Sequence, residues 1–154
     1  MRYKHVFAIC AYKDSPYLEQ CIRSLKAQTV PSHIIICTST PSSYIDRLAW
    51  KYGLQVYVRQ GESNIKDDWN FAYSMAEGGL VTIAHQDDMY HRDYSAGLLA
   101  AHKRYPDMTV FTTDYVIVKQ GKLITGDAML WIKRILRTPL RFPQMNDRAR
   151  VKKL

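Results

Sequence analysis

Apolar positions along the chain follow two alternating rhythms. Val6-Phe7-Ala8-Ile9-Cys10, inside Lys4–Ala11, is an unbroken apolar run of the kind found in strands covered on both faces. Asp14-Ser15-Pro16 then supplies cap residues and an early proline that open a helix. Leu18, Cys21, Ile22 and Leu25 recur at i, i+3, i+4 and i+7 as one helical stripe, and Pro31 lies past its end. Ile34-Ile35-Ile36-Cys37 reads as a second buried strand. Ser43-Tyr44-Ile45-Asp46 has the form of a capping box; Ile45, Leu48, Ala49 and Tyr52 make a second stripe, and Gly53 stands where a helix C-cap belongs. Leu54–Val58 is a third strand. The polar segment Glu62–Asp68 opens a third helix with Trp69, Ala72, Tyr73 and Ala76 as its apolar face, closed by Gly78-Gly79. Leu80–Ala84 is a fourth strand. Asp93 opens a fourth helix over Tyr94–Tyr105, which Pro106 stops, and Thr109–Val118 is a long fifth strand that turns at Gln120-Gly121 into Lys122–Thr125. Strands alternating with helices predict an α/β fold, a mostly parallel sheet built from right-handed βαβ units with flanking helices.

Composition narrows this picture. A chain of 154 residues with 47% hydrophobic content has room for a real core and contains no apolar run of membrane-spanning length. Met1-Arg2-Tyr3-Lys4-His5 leads straight into a strand without a secretory pattern, so a cytoplasmic location is expected. Cys10, Cys21 and Cys37 lie in apolar contexts and form no Cys-x-x-Cys pair; all three read as reduced core residues. The net charge of +8 is concentrated in residues 128–154, which carry +7 against +1 for residues 1–127. The body is nearly neutral, and the basic pI belongs to the tail.

The fourth strand ends in Ala84-His85-Gln86-Asp87-Asp88. Ligands of open α/β sheets bind beyond the carboxyl ends of the strands, and two acids there suit a divalent cation that carries phosphates. The same acids would also serve to cap the next helix. No G-x-G-x-x-G follows the first strand, where Ala11-Tyr12-Lys13-Asp14 stands, and no G-x-x-x-x-G-K-[ST] occurs. A diphosphate would therefore need neutralising by other means, and a carboxylate-held metal is the obvious substitute.

Three stretches, in order, resemble the inverting nucleotide-sugar glycosyltransferases of family 2, which have the GT-A, Rossmann-like fold. Val6–Lys13, Tyr17-Leu18 and Ser24-Leu25-Lys26-Ala27-Gln28-Thr29 resemble the family's opening strand, its "Y-N" turn and its "S-L-x-x-Q-T" helix end. Asp68-Trp69-Asn70-Phe71-Ala72 resembles the helix before the acidic strand, and Gln86-Asp87-Asp88 resembles the "D-x-D" element. The resemblance covers roughly residues 4–118. It implies that Tyr12 lies against the nucleobase beside the Ala11 backbone, that Asp87 faces the ribose or base, and that Asp88, with Asp87, holds the Mg²⁺ or Mn²⁺ bridging the diphosphate. Asp14, Ser39, Asp67, Asn70 and Gln86 complete the expected nucleotide-sugar contacts, although Asp67 and Asn70 equally suit capping or a solvated surface. His85 and His91 form no metal spacing and are assigned packing or surface roles.

Two departures stand out. Where the family carries an Asp after the second strand, this chain has Thr38-Ser39-Thr40, so Ser39 would bond the base without charge. The family's general base comes from a later acidic motif, yet the only acid after residue 127 is Asp147. Asp114 is the remaining acceptor-side acid. The chain thus resembles a donor-binding portion, residues 1–127, with residues 128–154 as the start of an acceptor half. The expected function is metal-dependent, inverting sugar transfer from a nucleotide-diphosphate donor to a saccharide or lipid-linked hydroxyl. The alternative is a nucleotide-sugar-binding fragment without a base. In the tail, Ala128, Trp131, Ile132, Ile135 and Leu136 share one helical face, and Lys133, Arg134 and Arg137 the other. Such a basic amphipathic helix either packs on protein or contacts an anionic membrane peripherally. Nucleic acid is not an expected partner, because the body lacks a basic groove with interleaved aromatics.

Overall fold

A computed structural model describes residues 3–119 and 122–124 and, beyond them, Ala128, Trp131, Ile132 and Ile135. The chain divides into two compact units, Met1–Met108 and Thr109–Leu154.

The first unit runs β1 (Tyr3–Ala11), α1 (Leu18–Lys26), β2 (His33–Thr38), α2 (Ser43–Tyr52), β3 (Gln55–Val58), α3 (Ile65–Met75), β4 (Gly78–His85) and α4 (Tyr94–Arg104). Its strands form one parallel sheet in the order β3-β2-β1-β4. Successive side chains of β1 point to opposite faces. Phe7, Ile9 and Ala11 pack with Leu18, Cys21, Ile22 and Leu25 of α1 and with Ile45, Leu48 and Ala49 of α2. Val6 and Ala8 pack with Ile35, Cys37 and Ala72, joined by the half-buried Phe71, Met75 and Ala76 of α3. Burial on both faces explains the unbroken apolar run of β1. The three cysteines are free. Burial pushes the thiols of Cys21 and Cys37 up to about 12 and that of Cys10 up to about 11, which makes them inert.

Several local expectations shift. Asp14 does not cap α1: Tyr17 occupies the N-cap position without a side-chain bond, and the Ser15 hydroxyl accepts from the Tyr17 N–H at 3.3 Å. The cap of α2 is Ser42 rather than Ser43, and Gly53 takes the left-handed C-cap (φ +61°). On α3 the buried side is Phe71, Ala72, Met75 and Ala76, while Trp69 and Tyr73 are exposed. The helix lies flat on β1, β2 and β4, and only the residues directly beneath it reach the sheet. The long strand over Thr109–Val118 is absent. Residues 109–116 are irregular, and β5 (Ile117–Lys119) pairs antiparallel with β6 (Lys122–Ile124) in a separate two-stranded sheet. Strand propensity alone does not decide strand formation. The turn residues Gln120 and Gly121 lie outside the described residues. So does most of the basic helix, of which Ala128, Trp131, Ile132 and Ile135 are described and are helical.

A polar network crosses the core. His5 on β1 bonds Ser32 through Nδ1 (2.8 Å) and Thr82 on β4 through Nε2 (2.9 Å). Ser32 donates to Ser95 of α4 at 3.1 Å, and Thr82 also meets the Tyr94 hydroxyl at 3.2 Å. Burial lowers the His5 pKa to about 4, so the folded state keeps its imidazole neutral. The unfolded chain protonates it below about 6.5. The contribution of His5 is therefore complete above that pH and is lost as pH falls toward 4. Folding stability measured by urea titration should drop by up to about 3 kcal/mol through this one group between pH 7 and pH 4, and His5→Gln should flatten that part of the profile. A second expectation concerns Gly78 at the start of β4. A Cβ there would lie 2.8 Å from both the Leu80 carbonyl oxygen and Val6 Cγ2. Gly78→Ala should cost about 1–3 kcal/mol in the same titration.

Candidate active site

The connectivity of the sheet decides where a ligand can bind. From β1 the chain steps outward to β2 and β3, then returns through α3 to place β4 on the opposite side of β1. The strand order reverses between β1 and β4, and the crevice beyond their carboxyl ends is the topological switch point. Residues 11–14 leave β1 there, and residues 86–88 leave β4.

The two exits are clipped together. The Tyr12 N–H donates to Gln86 Oε1 at 3.0 Å, and Gln86 Nε2 donates back to the Tyr12 carbonyl at 3.0 Å. Gln86 thus extends the β1–β4 ladder by one side chain. Ala11 is buried, and Tyr12 stands at the rim with 46% of its surface exposed. Lys13 takes a left-handed backbone (φ 52°), where a side chain with a Cβ costs roughly 1–2 kcal/mol. Its N–H donates to Thr40 Oγ1 at 2.7 Å, and its ammonium lies 4.9 Å from the centre of the Tyr12 ring. Asp14 accepts the Ser42 hydroxyl at 2.6 Å, which ties the β1 exit to the cap of α2. Ser39 follows β2, and its hydroxyl is buried without a well-formed hydrogen bond among the described residues.

The acidic turn is gripped from α1. The Asp88 N–H donates to the His85 carbonyl at 3.2 Å, folding the turn back on β4. Ser24 Oγ accepts from the Tyr90 N–H at 3.1 Å. Gln28 Nε2 donates to the His91 carbonyl at 2.9 Å, and Gln28 Oε1 accepts from the Ser95 N–H at 2.9 Å. Thr29 donates through its hydroxyl to Asp93 at 2.9 Å and through its backbone to the Arg92 carbonyl at 2.8 Å. The "S-L-x-x-Q-T" residues therefore hold the segment that follows the acids. Asp87 and Asp88 are themselves exposed, and no lysine or arginine among the described residues pairs with them. Lost solvation raises the Asp88 carboxyl above its usual range; the His85 imidazole offsets part of this and the neighbouring Asp87 charge adds to it.

On α3, Asp67 is engaged in the helix cap. Asn64 Oδ1 accepts from its N–H at 2.9 Å, and Asn64 Nδ2 donates to its carboxylate at 2.7 Å. Asn70 is exposed. The residues between them were given no site role from the sequence. Asp68 pairs with Arg59 Nε at 2.8 Å and accepts from Ser63 at 2.7 Å, while Arg59 also donates to the carbonyls of Gln60 and Glu62. Burial pushes the Asp68 carboxyl up, but bonds from Ser63 and Arg59, together with the Arg59 charge, leave it below its ordinary value. The rings of Trp69 and His85 meet nearly at right angles, with centres 4.9 Å apart. A polar residue paired nine positions from an arginine, and a tryptophan on an otherwise polar turn, were the available signals. Asp114 belongs to the second unit, exposed in an irregular segment rather than at a strand end.

A family model described as "Glycosyl transferase family 2" matches residues 6–152. The chain belongs to glycosyltransferase family 2. Among solved structures this glycosyltransferase is similar to TarS of S. aureus. A crystal structure of TarS 1-349 matches with a TM-score of 0.59 at 18% identity, over 76% of this chain and 40% of that one. The crystal structure of S. aureus TarS matches with a TM-score of 0.58 at 18% identity, over 76% of this chain and 24% of that one. The chain thus spans less than half the length of either, and the likeness establishes a GT-A-like fold. No curated protein sequence matches significantly.

The strain at Lys13 gives a direct check on how this family 2 glycosyltransferase is built. Lys13→Gly should relax the left-handed residue and raise unfolding stability by up to about 1 kcal/mol in urea titration. A loss of stability would mean that the ammonium–Tyr12 contact outweighs the backbone cost.

Proposed function

We propose that the crevice between β1 and β4 binds a nucleotide-diphosphate sugar and that the enzyme transfers the sugar, with inversion, to a hydroxyl of a saccharide or lipid-linked acceptor. The observation that carries this reading is the pair of exposed carboxylates, Asp87 and Asp88, at the switch point beside the exposed Tyr12 ring. Tyr12 offers a flat face for a base, and stacking of that kind is worth roughly 1–3 kcal/mol. Asp87 reaches the ribose or base, while Ala11, Asp14, Ser39 and Gln86 shape the nucleoside end.

The donor set of the turn suits Mg²⁺ or Mn²⁺. Two adjacent carboxylates, one of them raised by lost solvation, are relieved by a cation that takes oxygen ligands and completes its shell with water and phosphate. Among the described residues no group of three or more ligating side chains forms a cage, as expected where the substrate itself completes coordination. Bound there, the cation would act as a Lewis acid toward the leaving diphosphate. Asp88, with Asp87, holds it, and Gln86 and the α1 grip keep the turn in place. In the transfer, the acceptor oxygen bonds to the anomeric carbon as the bond from that carbon to the phosphate oxygen breaks. The acceptor proton passes to a base. No helix among the described residues is long and apolar enough to cross a membrane; the basic residues 128–154 suit peripheral contact with anionic lipid, at the inner face of the membrane if the enzyme is cytoplasmic.

Titration calorimetry with nucleoside diphosphates tests the reading. Binding should require Mn²⁺ or Mg²⁺, and Asp88→Ala should weaken it about tenfold or more. Unchanged metal-dependent binding in that variant removes the metal assignment. A donor-hydrolysis assay on the same protein separates the two outcomes of binding: turnover marks an active transferase, whereas binding alone marks a donor-binding portion whose base comes from elsewhere.

A further inference from the structure

Trp69 is the residue that the site leaves unexplained. It is one of three tryptophans, and 40% of its surface faces solvent, although the neighbouring turn of α3 is well buried at Ala72. It is not a loose surface ring. Its ring meets that of His85 nearly at right angles, with centres 4.9 Å apart. The preceding residue, Asp68, is pinned to Arg59 at 2.8 Å and to Ser63 at 2.7 Å, so the first turns of α3 cannot rotate freely. His85 is the last residue of β4, and its carbonyl accepts from the Asp88 N–H at 3.2 Å. The half-exposed Trp69 therefore stands beside the strand end that leads into Asp87 and Asp88.

A pyranose suits such a surface. One face of a hexose carries C–H groups that lie flat on an aromatic ring, and its hydroxyls stay in water; a tryptophan held by a neighbouring ring and still 40% exposed suits both requirements. We infer that Trp69 is the platform for the hexose ring of the nucleotide-sugar donor, an assignment that rests on the donor-binding reading above. His85 acts here as a positioning residue, fixing the ring by edge contact, and Asp68 positions it through Arg59.

The experiment uses the full chain with Trp50→Phe and Trp131→Phe, so that the fluorescence of Trp69 is read alone. Uridine, guanosine, cytidine and thymidine diphosphates are titrated with Mn²⁺, each beside its hexose conjugate. For the nucleotide that binds, the hexose conjugate should quench Trp69 and bind about three- to tenfold tighter than the bare diphosphate. By calorimetry, Trp69→Ala should bring the conjugate's Kd to that of the bare diphosphate and leave the latter within about twofold, and Trp69→Phe should retain part of the difference. Circular dichroism checks that both variants fold. Equal losses for both ligands, or none, would overturn the platform while leaving donor binding intact. If no nucleoside diphosphate binds with Mn²⁺, the donor-binding reading fails and the platform with it.

Discussion

Asp87 and Asp88 stand exposed on a turn that hydrogen bonds from β1 and from the end of α1 hold in place. Two adjacent carboxylates repel each other, and an exposed turn has little packing to hold it. Hydrogen bonds supply what packing cannot. Gln86 clips the turn to the Tyr12 backbone through two bonds, and Ser24, Gln28 and Thr29 hold the segment that follows. Each such bond is worth only about 1 kcal/mol net, but together they converge on fewer than ten residues. The turn is thus held in one arrangement by its neighbours.

The apolar core and the polar site are consequences of one strand. β1 is central in the sheet, flanked by β2 and β4 in parallel. Its odd-numbered residues from Phe7 to Ala11 bury against α1 and α2, and Val6 and Ala8 bury toward α3. Its register with β4 aligns the Tyr12 exit with the Gln86 exit. At the other end of the strand, His5 joins β1 to β4 and α4 through Ser32, Thr82 and Ser95. Movement of β1 along its axis would break the clip at one end and this network at the other.

The elements that sequence located well are those whose cause is local. The stripes of α1 and α2, the Gly53 cap and the unbroken runs of β1 and β2 follow from side-chain period and backbone preference. The expectations that moved are those that depend on a partner. Thr109–Val116 has strand-forming residues but is irregular, and Trp69 and Tyr73 have apolar side chains but lie beside the contact surface of α3 rather than beneath it.

The sequence by itself determined the alternation of strands and helices, the pair of acids at the end of the fourth strand, and membership in a glycosyltransferase family, because period, motif order and residue chemistry are written along the chain. Only the tertiary structure decided that Gln86 serves the Tyr12 backbone, that Asp68 is held by Arg59, and that Trp69 meets His85. Those pairings join residues as many as 74 positions apart. They arise from the way β4 is laid against β1, and a spacing rule that reads neighbours along the chain has no access to which side chains a folded sheet brings to one edge.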